Sequence, residues 1–502
     1  MPTLLQPGQS MRRRTLAFTK AIACVALATC APERVSAHTD ASGPHDALAL
    51  TPCRMDGVQR PLRCGIHTVF ENRRLGRGRT LPLKVVLIPA GQPHPEQGPV
   101  FYLAGGPGET ATELADYVIG LGDADAHDVV LVDERGTGDG HRLDCPRPAS
   151  RDAQANLKAP FDPAAARACS RELERHYDLS QYTTANFVED LDDVRRALGY
   201  DKINIDAGSF GTYAAQMYIR RHGDHVRSAY LASLVTLSNR VPLDHARNAQ
   251  EGLDHLFAEC ERDAACHDAY PHLADDFASI VKKLREQPVR TTVDDPVTHA
   301  ATEVSLTEAI FTDAVRVLMY HDTRIVPLLI EQAKAGDFQP FAKAGLDAAR
   351  GIYGGLRAGL NFAIVCNEFT RRIRPEDVEP ATRGSYFGTW RVNSQMALCS
   401  EWPKTEVPRD WFEPFRSTVP VVLVSGDVDP GSRPSGADDA KSSFPNAVSI
   451  VVPGGAHVPD NECTKSVRRQ LFENGATKTL DLGCVATMKA AAFRMRTPDS
   501  SP

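Results

Sequence analysis

Residues Ile203 to Tyr213, Ile-Asn-Ile-Asp-Ala-Gly-Ser-Phe-Gly-Thr-Tyr, constrain this chain more than any other stretch. Alternating β-branched residues run into a cluster of small ones around a single serine, and a helix-compatible segment, Tyr213 to Arg221, follows at once. The pattern predicts a strand, a sharp turn and a helix. At the tip of such a turn a serine is driven into strained backbone geometry with its hydroxyl above the sheet edge, and the next amide points the same way. The glycines let helix and strand approach where a bulkier residue would not. Gly-Ser-x-Gly alone also suits a helix cap, so its meaning depends on what other segments bring to the same place.

Short apolar runs bounded by turns predict strands at Gly65 to Glu71, Leu81 to Pro89, Val100 to Ala104, Val129 to Val132 and Val226 to Leu234. Two more follow late in the chain, Val421 to Ser425 and Ala447 to Val452. Runs of this kind suit strands buried on both faces, hence a mostly parallel sheet. Phe187, Leu191, Val194 and Leu198 mark a helix from Asn186 to Leu198, stopped by Gly199. From about Thr236 to Pro408 helical periodicity dominates, as in Ala246 to Cys260, Leu273 to Leu284 and Leu306 to Tyr320. The class predicted is α/β, with a large helical lid inserted into the sheet. The expected division is a signal peptide over 1–37, a first core part over 38–235, the lid over 236–408, a second core part over 409–490 and a polar tail over 491–502.

Ligands of open α/β sheets gather at the carboxyl ends of the strands. Two Gly-rich loops stand there, Ala104 to Glu109 and Asp133 to Gly138. Gly105-Gly106-Pro107-Gly108 lacks the Lys-Ser/Thr of a P-loop and the spacing of a dinucleotide fingerprint. Its amides, with that of Phe210, suit an oxyanion hole. Asp133 and Arg135 read as an ion pair bracing the second loop. After the two late strands come Ser425-Gly426-Asp427-Val428-Asp429-Pro430 and Pro453-Gly454-Gly455-Ala456-His457. A serine, an acid and a histidine in that chain order, each at a strand end, are what an α/β-hydrolase needs. The histidine takes the serine proton and returns it to the leaving group, while the carboxylate holds the ring's other N–H. Asp429 is preferred as the acid because it sits later in its turn, with Asp427 as the alternative.

The amino terminus reads as an export leader: Arg12-Arg13-Arg14 and Lys20, the apolar stretch Ala21 to Ala31, then Val35-Ser36-Ala37 as a small-x-small cleavage site. Arg13-Arg14-Thr15-Leu16 loosely resembles a twin-arginine signal, and Leu27-Ala28-Thr29-Cys30 a lipoprotein box. The expected destination is the periplasm or the medium, with anchorage at Cys30 as a lesser alternative. Of 12 cysteines, two fall in the leader. The other ten form near-neighbour couples, Cys53 with Cys64, Cys145 with Cys169, Cys260 with Cys266, Cys366 with Cys399 and Cys463 with Cys484. An even number suits an oxidising compartment, although sequence does not fix connectivity. No Cys/His grouping has zinc spacing, and neither a metal nor a cofactor is expected. A net charge of −7 and an isoelectric point near 6.2 argue against nucleic acid as a partner. Beyond the leader no apolar run approaches the ~20 residues that span a bilayer.

Over residues 50 to 485 the chain resembles the secreted tripeptidyl aminopeptidase and proline iminopeptidase family of α/β-hydrolases. The matching residues are Gly105-Gly106-Pro107-Gly108, Asp133-x-Arg135-Gly136-x-Gly138, Tyr182-Thr183-Thr184 with Asp190-Leu191, and Gly208-Ser209-Phe210-Gly211. Further along they are Cys260 and Cys266, Cys366 with Glu368, Cys399 with Trp402-Pro403, Asp429-Pro430 and His457. The resemblance implies peptide substrates and release of residues from a free amino terminus through an acyl-enzyme. It gives the triad roles to Ser209, Asp429 and His457, and the oxyanion amides to Gly106 and Phe210. Relatives hold the substrate ammonium with lid or rim carboxylates, and Glu368 and Glu109 are the candidates. Two departures stand out. Ala104 replaces the histidine that intracellular iminopeptidases carry before Gly-Gly-Pro-Gly, and Ala207 replaces a usual glycine. The rival readings are a carboxylesterase of the same fold and a noncatalytic hydrolase-like binding module.

Overall fold

The computed structural model describes residues 47–146, 152–158, 162–295 and 297–496. The predicted leader and the end of the polar tail, 497–502, lie outside them.

Nine strands form one sheet: β1 (Thr51–Cys53), β2 (Leu62–Phe70), β3 (Thr80–Ile88), β4 (Val100–Leu103), β5 (Val129–Val132), β6 (Ile203–Gly208), β7 (Val226–Ala232), β10 (Val421–Gly426) and β11 (Val448–Val452). Their order is β1-β2-β3-β5-β4-β6-β7-β10-β11. From β5 to β11 all neighbours run parallel, and β1, β2 and β3 join antiparallel at one edge. The central strands β4, β5, β6 and β10 are buried at every residue, as apolar runs require in a sheet covered on both faces. β2 corrects the expectation of two covered faces: as part of the antiparallel edge it leaves Arg63, Ile66 and Thr68 exposed.

One face of the sheet packs Phe101, Leu103, Ile203 and Ile205 against the helices Thr184–Ala197 and Phe210–His222. The other packs Tyr102, Leu131, Val422 and Val424 against the helix Glu462–Asn474. Between β7 and β10 the chain is mainly helical and builds a separate apolar cluster around Leu253, Phe277, Phe311, Phe341 and Leu346. That cluster includes a two-stranded antiparallel hairpin, β8 (Val289–Asp294) with β9 (Ala301–Leu306), which helical periodicity had not indicated. Ten cysteines form five disulfides, Cys53–Cys64, Cys145–Cys169, Cys260–Cys266, Cys366–Cys399 and Cys463–Cys484.

Candidate active site

β6 ends at Gly208, and Ser209 follows with φ 53° and ψ −124° before the helix that starts at Phe210. A β-carbon on Gly211 would lie 2.2 Å from the carbonyl oxygen of Leu103, so only glycine lets this helix press onto β4. The backbone is strained at the serine because both flanks are fixed. Neighbouring strand ends are tied in sequence along the rim. Ser209 N–H donates to Ala232 O at 2.9 Å, and Ser233 N–H to Val424 O at 2.8 Å. Val428 N–H reaches Gly455 O at 3.2 Å.

This rim brings the predicted acid and histidine together. His457 Nδ1 lies 3.0 and 2.9 Å from Oδ1 and Oδ2 of Asp429. The carboxylate has no exposed side-chain surface. Its Oδ1 accepts from the amides of Gly431 at 2.7 Å and Ser432 at 3.0 Å, and its Oδ2 from the hydroxyl of Ser233 at 2.6 Å. Burial works to raise its pKa, but the His457 charge and these hydrogen bonds outweigh it, and the group is held below the ordinary aspartate value. Asp427, the alternative, makes no hydrogen bond to the ring or to Ser233 among the described residues, and its Oδ1 is buried without a partner there.

The Ser209 hydroxyl makes no hydrogen bond among the described residues, so it is not locked away from an incoming group. What couples its turn to the histidine loop is packing: a β-carbon on Gly208 would stand 3.1 Å from Cγ1 of Val458. His457 is also held from the helical insert. Its N–H donates to Tyr320 O at 3.3 Å, and the two rings meet edge to face with centroids 4.6 Å apart.

Opposite them, Gly106 is exposed with φ 104°, a conformation that favours glycine. Glu109 Oε2 accepts the Gly105 amide at 2.9 Å. The Gly106 and Phe210 amides have no acceptor among the described residues, which is the condition for binding a developing oxyanion. A β-carbon on Gly105 would stand 3.1 Å from Glu109 Oε2 and 3.4 Å from Ser209 Cβ, so acid and serine flank one point. Burial raises the Glu109 pKa, opposed by the Gly105 hydrogen bond and the His457 charge.

Glu368 is placed differently from the expectation of a substrate contact. It is 1% exposed, on a π-helical turn (Val365–Phe369), and its Oε1 accepts the amide of Thr184 at 2.8 Å. That bond satisfies an orphan donor at the start of the Thr184–Ala197 helix. Burial pushes its pKa up to about 7. Glu134, which sequence reasoning passed over, is buried in its field and is pushed well above the ordinary carboxylate value by burial and then by Glu368. The expected Asp133–Arg135 pair is also corrected. Arg135 forms a fully buried two-pronged pair with Asp190, both bonds 2.7 Å, while Asp133 accepts from the amide and hydroxyl of Thr112. Planar guanidinium and carboxylate match best in that fork, and the sequence separation of 55 hides it from a local reading.

A mostly parallel sheet flanked by helices, with a serine elbow and an Asp–His pair at its rim, defines the α/β-hydrolase fold. A family model described as "alpha/beta hydrolase fold" matches residues 98–314, and one described as "TAP-like protein" matches residues 384–484. The chain has the α/β-hydrolase fold, and its C-terminal part resembles the TAP-like proteins. It is 26% identical to a tripeptidyl aminopeptidase of Streptomyces lividans, across 78% of this chain and 77% of that one. It is 26% identical to the serine protease Hip1 of Mycobacterium tuberculosis across 43% of this chain and 45% of the other. Among solved structures, a proline iminopeptidase of Mycobacterium smegmatis aligns over 78% of this chain and 95% of its own, with 15% identity and a TM-score of 0.37.

Proposed function

We propose that this protein is an exported serine peptidase that releases short peptides or single residues from free peptide amino termini. The observation that carries the reading is the Asp429–His457 pair at 2.9 Å on the same rim as a strained Ser209. The names of the relatives given above supply the substrate class.

In this reading Ser209 Oγ attacks the scissile carbonyl and His457 takes its proton. Asp429, unable to leave its three other donors, fixes the ring and stabilises the imidazolium. The carbonyl oxygen gains negative charge between the Gly106 and Phe210 amides. His457 then returns the proton to the departing amine, leaving an acyl-serine that water hydrolyses by the same relay. The serine-to-imidazole hydrogen bond forms in the loaded site, as such contacts tighten in the substrate complex. In the same reading Glu109, whose carboxylate flanks Gly105 together with Ser209, meets the substrate ammonium. Glu368 acts from within the fold, holding the start of the Thr184–Ala197 helix.

Five disulfides support an oxidising destination. No helix among the described residues is long and apolar enough to cross a membrane. The test is mass spectrometry of products from a mixed peptide library, with the Ser209→Ala protein as control. Amino-terminal fragments that vanish in the control are expected. Turnover of simple acyl esters alone would remove the peptidase assignment, and failure of Ser209 to react with a fluorophosphonate would remove the enzyme.

A further inference from the structure

The loop Gly105-Gly106-Pro107-Gly108 has few side chains with which to hold itself in place. Gly106 and Gly108 stand at φ 104° and 98°, and backbone of this kind stays free unless hydrogen bonds fix it. One tie is local, from the Gly105 amide to Glu109 Oε2 at 2.9 Å. The other two come from the helical insert. Asn361 Nδ2 donates to Pro107 O at 2.9 Å, and the Arg357 N–H donates to Gly108 O at 2.8 Å. A carbonyl oxygen only accepts, so the amide nitrogen of Asn361 must be the atom that faces Pro107.

The insert is itself seated at this point. Asn361 lies in the helix Ala358–Ile364, whose Gly359 N–H donates to Leu143 O at 2.8 Å. A β-carbon on Gly359 would come within 2.6 Å of that oxygen, so glycine sets how near the helix can approach. On the loop side, a β-carbon on Gly108 would stand 2.9 Å from Arg357 O, and one on Gly106 would stand 3.1 Å from Leu356 Cδ2. The insert therefore packs along the loop from Gly106 to Gly108. Between the tie at Gly105 and the ties at Pro107 and Gly108 lies the Gly106 amide, which has no acceptor among the described residues. Its direction follows from the peptide planes held on either side of it.

We propose that Asn361 is a positioning residue for the oxyanion hole, aiming the Gly106 amide through its hydrogen bond to Pro107 O. Asn361 reaches the loop and not the substrate. A misaimed amide loses most in the transition state, where the carbonyl oxygen becomes charged, and loses little in the bound ground state. The helical insert thus completes the catalytic rim instead of only covering it. The inference rests on the reading of the Gly106 and Phe210 amides as the oxyanion donors.

The test counts turnover per Ser209 titrated with a fluorophosphonate, so misfolded protein does not enter the rate. Asn361→Ala should lower kcat roughly tenfold or more on peptides with a free amino terminus, while KM moves by less than about twofold. Asn361→Asp, of nearly the same shape, should fall at least as far at neutral pH, because its carboxylate has no proton to give to Pro107 O. The second readout is a peptide boronate. Ser209 Oγ bonds to boron, the serine proton passes to His457, and an oxygen on the tetrahedral boron takes the oxyanion position. Boronate affinity should fall by the same factor as kcat/KM, whereas uncleaved peptide should bind Ser209→Ala equally with and without Asn361→Ala. A kcat within about twofold of wild type in both variants overturns the proposal, as does a lower kcat with unchanged boronate affinity or an equal loss of boronate and peptide binding. Wild-type turnover of esters alone would remove the peptidase reading only, and the same ratios measured on the ester would decide the role of Asn361. Wild type that neither turns over substrate nor binds the boronate would remove the oxyanion reading and this inference with it.

Discussion

The hydroxyl of Ser233 donates to Oδ2 of Asp429 at 2.6 Å and accepts the amide of Val458, the residue after His457, at 2.7 Å. One oxygen thus spans the acid loop and the histidine loop, from a residue held at φ 55° just past the end of β7. Asp429 and the imidazole are positioned together through it.

Ser233→Ala should therefore slow the chemical step more than it weakens binding. The substitution leaves a Val458 amide without its partner and a buried carboxylate one donor short, which costs about 1–3 kcal/mol. A fall in kcat of about tenfold, with KM nearly unchanged, is expected. The rate of Ser209 labelling by a fluorophosphonate should fall in parallel. A loss of thermal stability with unchanged labelling would reduce Ser233 to a structural residue.

The buried acids Glu368 and Glu134 give the fold a dependence on pH opposite to that of Asp429. Burial lifts Glu368 from 4.5 to about 7, so the folded protein keeps it protonated where the unfolded chain ionises it. Stability is then greatest below about pH 4.5 for this group and declines as pH rises towards 7. Asp429, held below its ordinary value, contributes stability that is full above about pH 3.8 and is lost on acidification. Glu368→Gln retains an acceptor for the Thr184 amide and removes the titration. It should raise the melting temperature at pH 8, by a free energy on the order of 3 kcal/mol, and change little at pH 4.5. A destabilisation at pH 8 would show that the ionised carboxylate is required.

Much of this arrangement is legible from local patterns because the elbow, the buried strands and the loops after them are short-range features. Val129 to Val132 is a strand with the bounds its apolar run suggests. Val226 to Leu234 runs two residues too far, since apolar character continues where the backbone turns at Ser233, and that overrun concealed the brace on Asp429. β8 and β9 were missed because this hairpin buries only Val293, Val304 and Leu306, so few apolar residues mark its alternation in the sequence. The Arg135–Asp190 pair and the Glu134–Glu368 neighbourhood join elements far apart in the chain. Charge alone cannot say which acid meets which base, and tertiary packing decided each case.

Two helical glycines should respond in opposite directions. Alanine at Gly211 would thrust its methyl to 2.2 Å from Leu103 O and 2.8 Å from Ala104 O, both backbone atoms unable to swing aside. Gly211→Ala is expected to lose about 3 kcal/mol or more and to distort the turn at Ser209. Gly351, inside the helix Gln339–Gly354, has open space around the same position. Gly351→Ala should stabilise by about 0.4–1 kcal/mol, because alanine restricts the unfolded chain. Denaturant unfolding of both variants, with active-site labelling alongside, checks the pair; a neutral Gly211→Ala would contradict the close packing of elbow and β4.

Glu109 is expected to set the preference for free amino termini. Its Oε2 is tied to the Gly105 amide, and that bond steadies the carboxylate beside Ser209 without neutralising it. Glu109→Gln keeps an acceptor for Gly105 and loses only the charge. It should lower kcat/KM on peptides with a free amino terminus by roughly tenfold, consistent with a charge-assisted hydrogen bond of about 1.5–3 kcal/mol, while acetylated peptides change little. Because burial raises the pKa of this acid, the preference should also weaken as pH falls and the group takes up a proton. Equal losses on free and acetylated peptides would assign Glu109 to shaping the Gly105–Gly106 loop, and the ammonium site would have to be sought elsewhere on the rim.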